Sequence, residues 1–161
     1  MLIRLAKRAD LPAINAIYNY YVLHSTCTYD EDLTTEAERD AWFELHRGQH
    51  PATVAVIDHE VVGWGSLSAY RGRCAYRFTV ENSVYVRVDK QRRGIGGKLL
   101  ADLIKRAREL ELHSIVAGID SEQEGCIVLH EKFGFVTVAH VREVGFKFRR
   151  WLDVVFMQHL L

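Results

Sequence analysis

A run rich in β-branched and aromatic residues, Tyr76 to Val88, passes directly into Asp89-Lys-Gln-Arg-Arg-Gly-Ile-Gly-Gly-Lys98, and this joint constrains the chain more than any other feature. The first part reads as a long strand, with Val84, Val86 and Val88 on one face and Ser83, Tyr85 and Arg87 on the other. Beyond it the period changes, and Ile95, Leu99, Leu100, Leu103, Ile104 and Ala107 form the apolar stripe of a helix. The first N–H groups of a helix have no partner inside it, and the positive end of its dipole points the same way. Gly94, Gly96 and Gly97 bring no Cβ to that point, while Arg92, Arg93 and Lys98 bring positive charge. An anion such as a diphosphate belongs there.

The local charge stands out because the whole chain carries none: 21 basic side chains balance 21 acidic ones in 161 residues. A protein gripping a nucleic-acid backbone would show a broadly basic face, so no nucleic-acid partner is expected. No apolar run approaches the about eighteen residues needed to cross a bilayer, and Met1-Leu-Ile-Arg-Leu-Ala-Lys-Arg8 has no secretory core, so the expected setting is cytoplasmic, without a membrane partner. Cys27, Cys74 and Cys126 are odd in number and far apart, which points to reduced thiols and to no metal site.

The remaining pattern alternates strands and helices without a linker or repeat, as one domain over residues 1–161 would. Ile3 to Leu5 read as a strand. Asp10 and Pro12 open a helix carrying Ile14, Ile17, Tyr18 and Tyr21. Thr35 and Glu38 form a capping box for a second helix through Trp42, Phe43 and Leu45. Thr53–Ile57 and Val61–Ser68 flank a polar turn and read as a hairpin. His113–Ile119 reads as a strand, Glu122–Lys132 as a helix, and Phe135–Ala139 and Val154–Leu160 as closing strands. The class is α+β with a mixed sheet.

Spacing separates the possible phosphate binders. A P-loop needs glycine where Arg92 stands and a hydroxyl residue where Leu99 stands; a dinucleotide fingerprint needs a small residue at Leu99 and an earlier place in the chain. What remains, Gln-x-x-Gly-x-Gly after a late strand, resembles the signature of the GNAT superfamily of N-acetyltransferases. Longer stretches are similar to its phosphinothricin and methionine sulfone/sulfoximine subgroup: Tyr76 to Val86, Leu129-His-Glu-Lys-Phe-Gly-Phe135, and Gly145 to Asp153, with Ile17-Tyr-Asn19 and Thr26-Cys-Thr-Tyr29 in addition.

The resemblance implies the GNAT fold, a central mixed, mostly antiparallel twisted sheet of about seven strands flanked by about four helices. It implies acetyl-CoA as co-substrate, a small-molecule amine as acceptor, and a homodimer to which the Trp151 region contributes. Backbone groups of Val84, Tyr85 and Val86 would hold the pantetheine arm, and Arg92, Arg93, Gly94, Ile95, Gly96, Gly97 and Lys98 the pyrophosphate. Gln123 stands where the family usually has a cofactor-contacting Asn. Glu81 would be the general base; it lies about six residues before the loop end of the strand, ~20 Å, comparable with an extended pantetheine arm. Burial among Trp64, Tyr70 and Phe78 would raise its pKa. His130 would be the general acid for the leaving thiolate. Arg71 and Arg73 would clamp an acceptor carboxylate, with Tyr29, Tyr76 and Lys147 lining the same pocket. The acceptor is expected to be the α-amino group of phosphinothricin, methionine sulfone or methionine sulfoximine. The alternatives are a protein N-terminus, a polyamine, or a non-catalytic acyl-CoA-binding module.

Overall fold

The structure, a computed structural model, describes residues 1–161. Eleven main elements follow in chain order: β1 (Leu2–Leu5), α1 (Leu11–His24), α2 (Glu36–Leu45), β2 (Ala52–Ile57), β3 (Glu60–Ala69), β4 (Thr79–Val86), α3 (Ile95–Glu109), β5 (Ser114–Asp120), α4 (Glu124–Lys132), β6 (Val136–Lys147) and β7 (Arg150–Leu160). The strands form one 7-stranded sheet in the order β1-β2-β3-β4-β5-β7-β6. Every pairing is antiparallel except β4 with β5. A parallel pair needs a crossover, and α3 supplies it. This is the mixed α+β sheet with four helices that the sequence implies.

The helices cover both faces. On one, Leu100, Leu103, Ile104 and Ala107 of α3 pack on Leu67, Val80, Ile115 and Met157. On the other, Ile14, Ile17 and Tyr21 of α1 and Phe43 of α2 pack on Val54 and Trp64. Residues directly opposite on antiparallel strands share a face, so the pairs Trp64–Tyr85, Ser66–Ser83 and Ser68–Glu81 form one row. Trp64 and Tyr85 stack at the end of that row, with Tyr18 of α1 edge-on to Tyr85, placing the row under α1 and α2.

The start of α2 matches the sequence: the Glu38 N–H donates to Thr35 Oγ1 at 3.2 Å, and the Thr35 N–H donates to Glu38 Oε2 at 2.8 Å. Asp10 precedes α1 without capping it, its carboxylate accepting from Arg4 and the Lys7 N–H, and α4 begins at Glu124 rather than Glu122. Three strands differ in extent, β7 by beginning at Arg150 rather than at Val154. The expected strand from Tyr76 to Val88 is shorter, because Cys74–Tyr76 and Val88–Lys90 each wind into a single 3₁₀ turn. Tyr76, Phe78 and Val88, which gave the run its strand character, are exposed. The expected strand Phe135–Ala139 instead continues to Lys147 and returns through Phe148 and Arg149, both at positive φ (50° and 61°), a two-residue primed turn made without glycine.

Candidate active site

Strands β4 and β5 pair only from Thr79 to Glu81, against Ser114 to Val116, and then separate. Beyond Glu81, β4 is paired on its β3 side alone, and Ala117 to Asp120 of β5 are paired with β7 alone. The gap between them is lined by Asn82, Ser83, Val84 and Tyr85 on one side and by Ala117, Gly118, Ile119 and Asp120 on the other. Cys27, Gln123, Cys126 and His130 complete its walls. Two strand edges that leave their backbone groups unpaired in the middle of a sheet are a template for an extended polar chain. Part of that edge is already used: the Val86 carbonyl accepts from the Tyr21 hydroxyl, which in turn accepts from Gln91 Nε2 at 2.7 Å.

The basic joint follows. Arg92 (φ 58°) and Gly94 (φ 75°) turn the chain left-handed into α3, whose N-cap Gly94 has no capping side chain. Arg87 and Lys90 sit against Asp89, whereas Arg92, Arg93 and Lys98 are exposed and have no ion-pair partner. A Cβ on Gly96 would meet Leu129 Cδ2 at 3.4 Å, and one on Gly97 would meet Phe133 Cε2 at 3.5 Å. These two glycines therefore also set how closely α3 and α4 pack, a role that their position in the motif conceals.

Glu81 stands at the head of the gap. Its carboxylate lies beside Gly118, 3.6 Å from where a Cβ would be, and burial alone pushes its pKa above the ordinary carboxylate value. Of the residues expected to bury it, Phe78 is itself exposed, and Trp64 is level with Tyr85, four residues along the strand. His130 is 2% exposed, and both ring nitrogens are engaged. Nδ1 donates to the Cys126 carbonyl at 2.8 Å, so Nε2 accepts from Asn82 Nδ2 at 3.0 Å. Burial lowers its pKa, which favours the neutral ring. The Asn82 side-chain oxygen is buried and has no partner. Gln123 caps α4 at the gap, with Nε2 at 3.4 Å from Thr26 Oγ1.

The five residues expected around the acceptor do not converge. Lys147 is 2% exposed, and its ammonium donates to the carbonyls of Ser25 (2.9 Å) and Thr28 (2.8 Å); its donors tie the 25–29 segment to β6 and do not face a pocket. Tyr29 lays its ring over Gly145 and donates its hydroxyl to Asp120 Oδ2 at 2.9 Å, with the Asp153 carbonyl at 3.1 Å. Arg71, Arg73 and Tyr76 are exposed on the loop between β3 and β4, with Arg71 over the Tyr70 ring and Tyr76 edge-on to it. They stand near the Glu81 end of β4 but line none of the principal hollows.

A second hollow opens on the α1–α2 face. Ser66 and Ser68 of β3 and Ser83 and Tyr85 of β4 form its floor, while Tyr18, Asp30, Arg39 and Trp42 wall it. Ser83 and Tyr85 line both spaces. The two therefore meet across β4, beside Glu81.

The acetyltransferase (GNAT) domain family matches residues 3–156. The chain belongs to the GNAT acetyltransferases. It is 41% identical over 159 residues to an L-methionine sulfoximine/L-methionine sulfone acetyltransferase of Salmonella typhimurium, covering 98% of this chain and 93% of the relative. A solved GNAT superfamily phosphinothricin acetyltransferase from Sinorhizobium meliloti, in complex with AcCoA, superposes with a TM-score of 0.96 at 38% identity, covering 99% of this chain and 88% of the other. A ribosomal-protein-alanine N-acetyltransferase from Brucella melitensis gives a TM-score of 0.98 at 41% identity, with both chains fully covered.

For this GNAT enzyme, the sequence marks the strand gap and its basic end, because glycines, arginines and the change of period are local signals. It does not mark Arg39, Trp64, Ser66 or Ser68 as one place. The available hint was a charged residue, Arg39, among the apolar positions of α2, three residues before Trp42.

Proposed function

We propose that the protein transfers acetyl from acetyl-CoA to the α-amino group of a small amino-acid analogue such as methionine sulfone, methionine sulfoximine or phosphinothricin. The observation that carries this reading is the parting of β4 from β5 immediately after Glu81, which sets a partner-free, half-buried carboxylate at the head of an unpaired strand edge. The residues fit the co-substrate: free backbone groups of Val84 suit the amides of a pantetheine arm, whereas those of Tyr85 turn to β3, and Arg92, Arg93, Lys98 and the start of α3 suit its diphosphate. Gln123 at the head of α4 offers one further amide to it. The co-substrate supplies an activated acetyl group as a thioester.

Glu81, with its pKa raised by burial, takes one proton from the incoming ammonium, directly or through a water, and frees the nitrogen lone pair. Backbone N–H groups at the start of the free edge donate to the carbonyl oxygen as negative charge develops there. The second nitrogen proton then becomes available to the departing sulfur. His130 serves by holding Asn82 at the gap, since its protonation would have to displace the hydrogen bond at Nε2. Arg71, Arg73 and Tyr76, at the Glu81 end of β4, guard the entry of the acceptor carboxylate, and Tyr29 fixes the opposite wall through Asp120.

Val136, Val138, Val144, Phe146, Phe148 and Trp151 are exposed on the β6–β7 hairpin and supply an apolar surface for a homodimer. The three free thiols suit the reducing cytoplasm. A peptide N-terminus is the second reading, favoured by the name of the Brucella neighbour. A thiol-release assay across methionine sulfone, methionine sulfoximine, phosphinothricin, alanine-ending peptides and polyamines decides between them. Turnover with the amino-acid analogues is expected, and turnover with peptides alone would overturn the proposal.

A further inference from the structure

Arg39 is buried on the α1–α2 face without a countercharge. Its side chain is 4% exposed, and the guanidinium lies over the rings of Tyr18 (4.9 Å), Trp42 (4.8 Å) and Trp64 (5.6 Å). Its Nε donates to Asn15 Oδ1 at 3.1 Å, and no carboxylate comes within ion-pair distance. A buried cation held by rings and a single hydrogen bond leaves four N–H donors of its planar fork unused. Beside it, Trp64 is 2% exposed, and its indole N–H is buried without any partner. Both line the hollow that runs along the serine row to Ser68, the residue opposite Glu81. Two residues with unspent donors thus line one end of a cavity whose other end, at Ser68, lies across from the candidate base.

We infer that this hollow is the acceptor's side-chain pocket and that Arg39 and the Trp64 indole N–H together bind a polarised oxo group, of the sulfone or sulfoximine type, at the end of that side chain. The inference rests on the amine-acetylation reading above and deepens it. Register supports a distal group: with the amine at Glu81, level with Ser68, the far end at Trp64 is four residues away along the strand, on the order of 13 Å. The carboxylate of an α-amino acid is only two bonds from its nitrogen and stays near Glu81. Charge narrows the class further. Asp30 also lines the hollow, accepting from the Tyr18 hydroxyl at 2.6 Å, so the cavity holds one cation and one anion. A neutral group with strong acceptor oxygens suits that balance better than a doubly charged one. Ser66 and Ser83 add hydroxyls along the path, while that of Ser68 donates to His46 Nε2 at 2.8 Å.

Methionine and methionine sulfone differ only in the two oxygens, which makes them the probes. Kinetics of acetyl transfer to both, with quenching of tryptophan fluorescence by each in the absence of acetyl-CoA, would be compared in the wild type, Arg39→Gln and Trp64→Phe. The wild type is expected to prefer the sulfone. Arg39→Gln should weaken sulfone binding by about tenfold or more while leaving methionine unchanged, and Trp64→Phe, which keeps the aromatic packing and removes the donor, should lower the preference by a few-fold. If Arg39→Gln does not fold, Trp64→Phe decides alone. An unchanged sulfone-to-methionine ratio in the folded variant, or equal losses for both ligands, overturns the inference while amine acetylation stands. Sulfone binding that depends on Arg39 in a protein that acetylates no amino acid would support the pocket and refute the acetylation reading.

Discussion

The strand gap and the hollow under α1 and α2 share Ser83 and Tyr85, yet they are made in different ways. The gap is made by backbone: two strands stop pairing, and their free edges do the recognising. The hollow is made by side chains brought from α1, α2, β3 and β4, and Arg39 and Trp64 do the recognising. A gap of that kind suits a ligand whose amides repeat along its length, as the pantetheine arm of a fixed co-substrate does. A hollow of the second kind can be altered one side chain at a time, which suits the variable partner. Glu81 sits between them and belongs to neither.

This division can be broken experimentally. Glu81→Gln should produce the largest effect, a fall in kcat on the order of 10²–10⁴ with acetyl-CoA affinity retained; loss of acetyl-CoA binding would place Glu81 inside the gap. Replacing Arg92 and Arg93 together by Ala should raise the KM for acetyl-CoA by roughly tenfold or more and reduce its dependence on salt, because exposed charges are screened, while leaving the acceptor KM unchanged. An equal rise in both constants would show that gap and hollow are not separate. The smallest functional effect is expected from Lys147→Met, which deprives the Ser25 and Thr28 carbonyls of their donor. It should cost about 1–3 kcal/mol of stability, read as a drop in Tm, with both KM values preserved. A raised acceptor KM without a Tm change would return Lys147 to the acceptor site.

The two regions also differ in how far the sequence reveals them. The gap is legible because its signals are local: the change of period at Gly94, three glycines, three unpaired cations, and the Leu129 to Phe135 stretch that packs against them. Even there the split after Glu81 is invisible, since nothing in Thr79 to Val86 says which neighbour that strand will lose. The hollow is not legible. Ser66, Ser68 and Ser83 become one row only through β3–β4 register, and Arg39 reaches them from a helix far back in the chain. Lys147 illustrates the same limit in reverse. A lysine within a recognised motif reads as a ligand contact, but its partners are two carbonyls more than a hundred residues earlier. The closing hairpin is longer than its sequence announces, because Phe148 and Arg149 take positive φ without the glycine or asparagine that would mark a turn.

The central claim is that a carboxylate at the head of the strand gap removes the acceptor's proton. The dependence of kcat/KM on pH, measured for the wild type and for Glu81→Gln, tests it most directly. A base works when deprotonated, so activity should rise with pH through an apparent pKa above the ordinary carboxylate value of 4.5, in keeping with the burial of Glu81. That limb should vanish in Glu81→Gln. A limb that persists unchanged in Glu81→Gln, and shifts instead when His130 is replaced by Asn, would contradict the account.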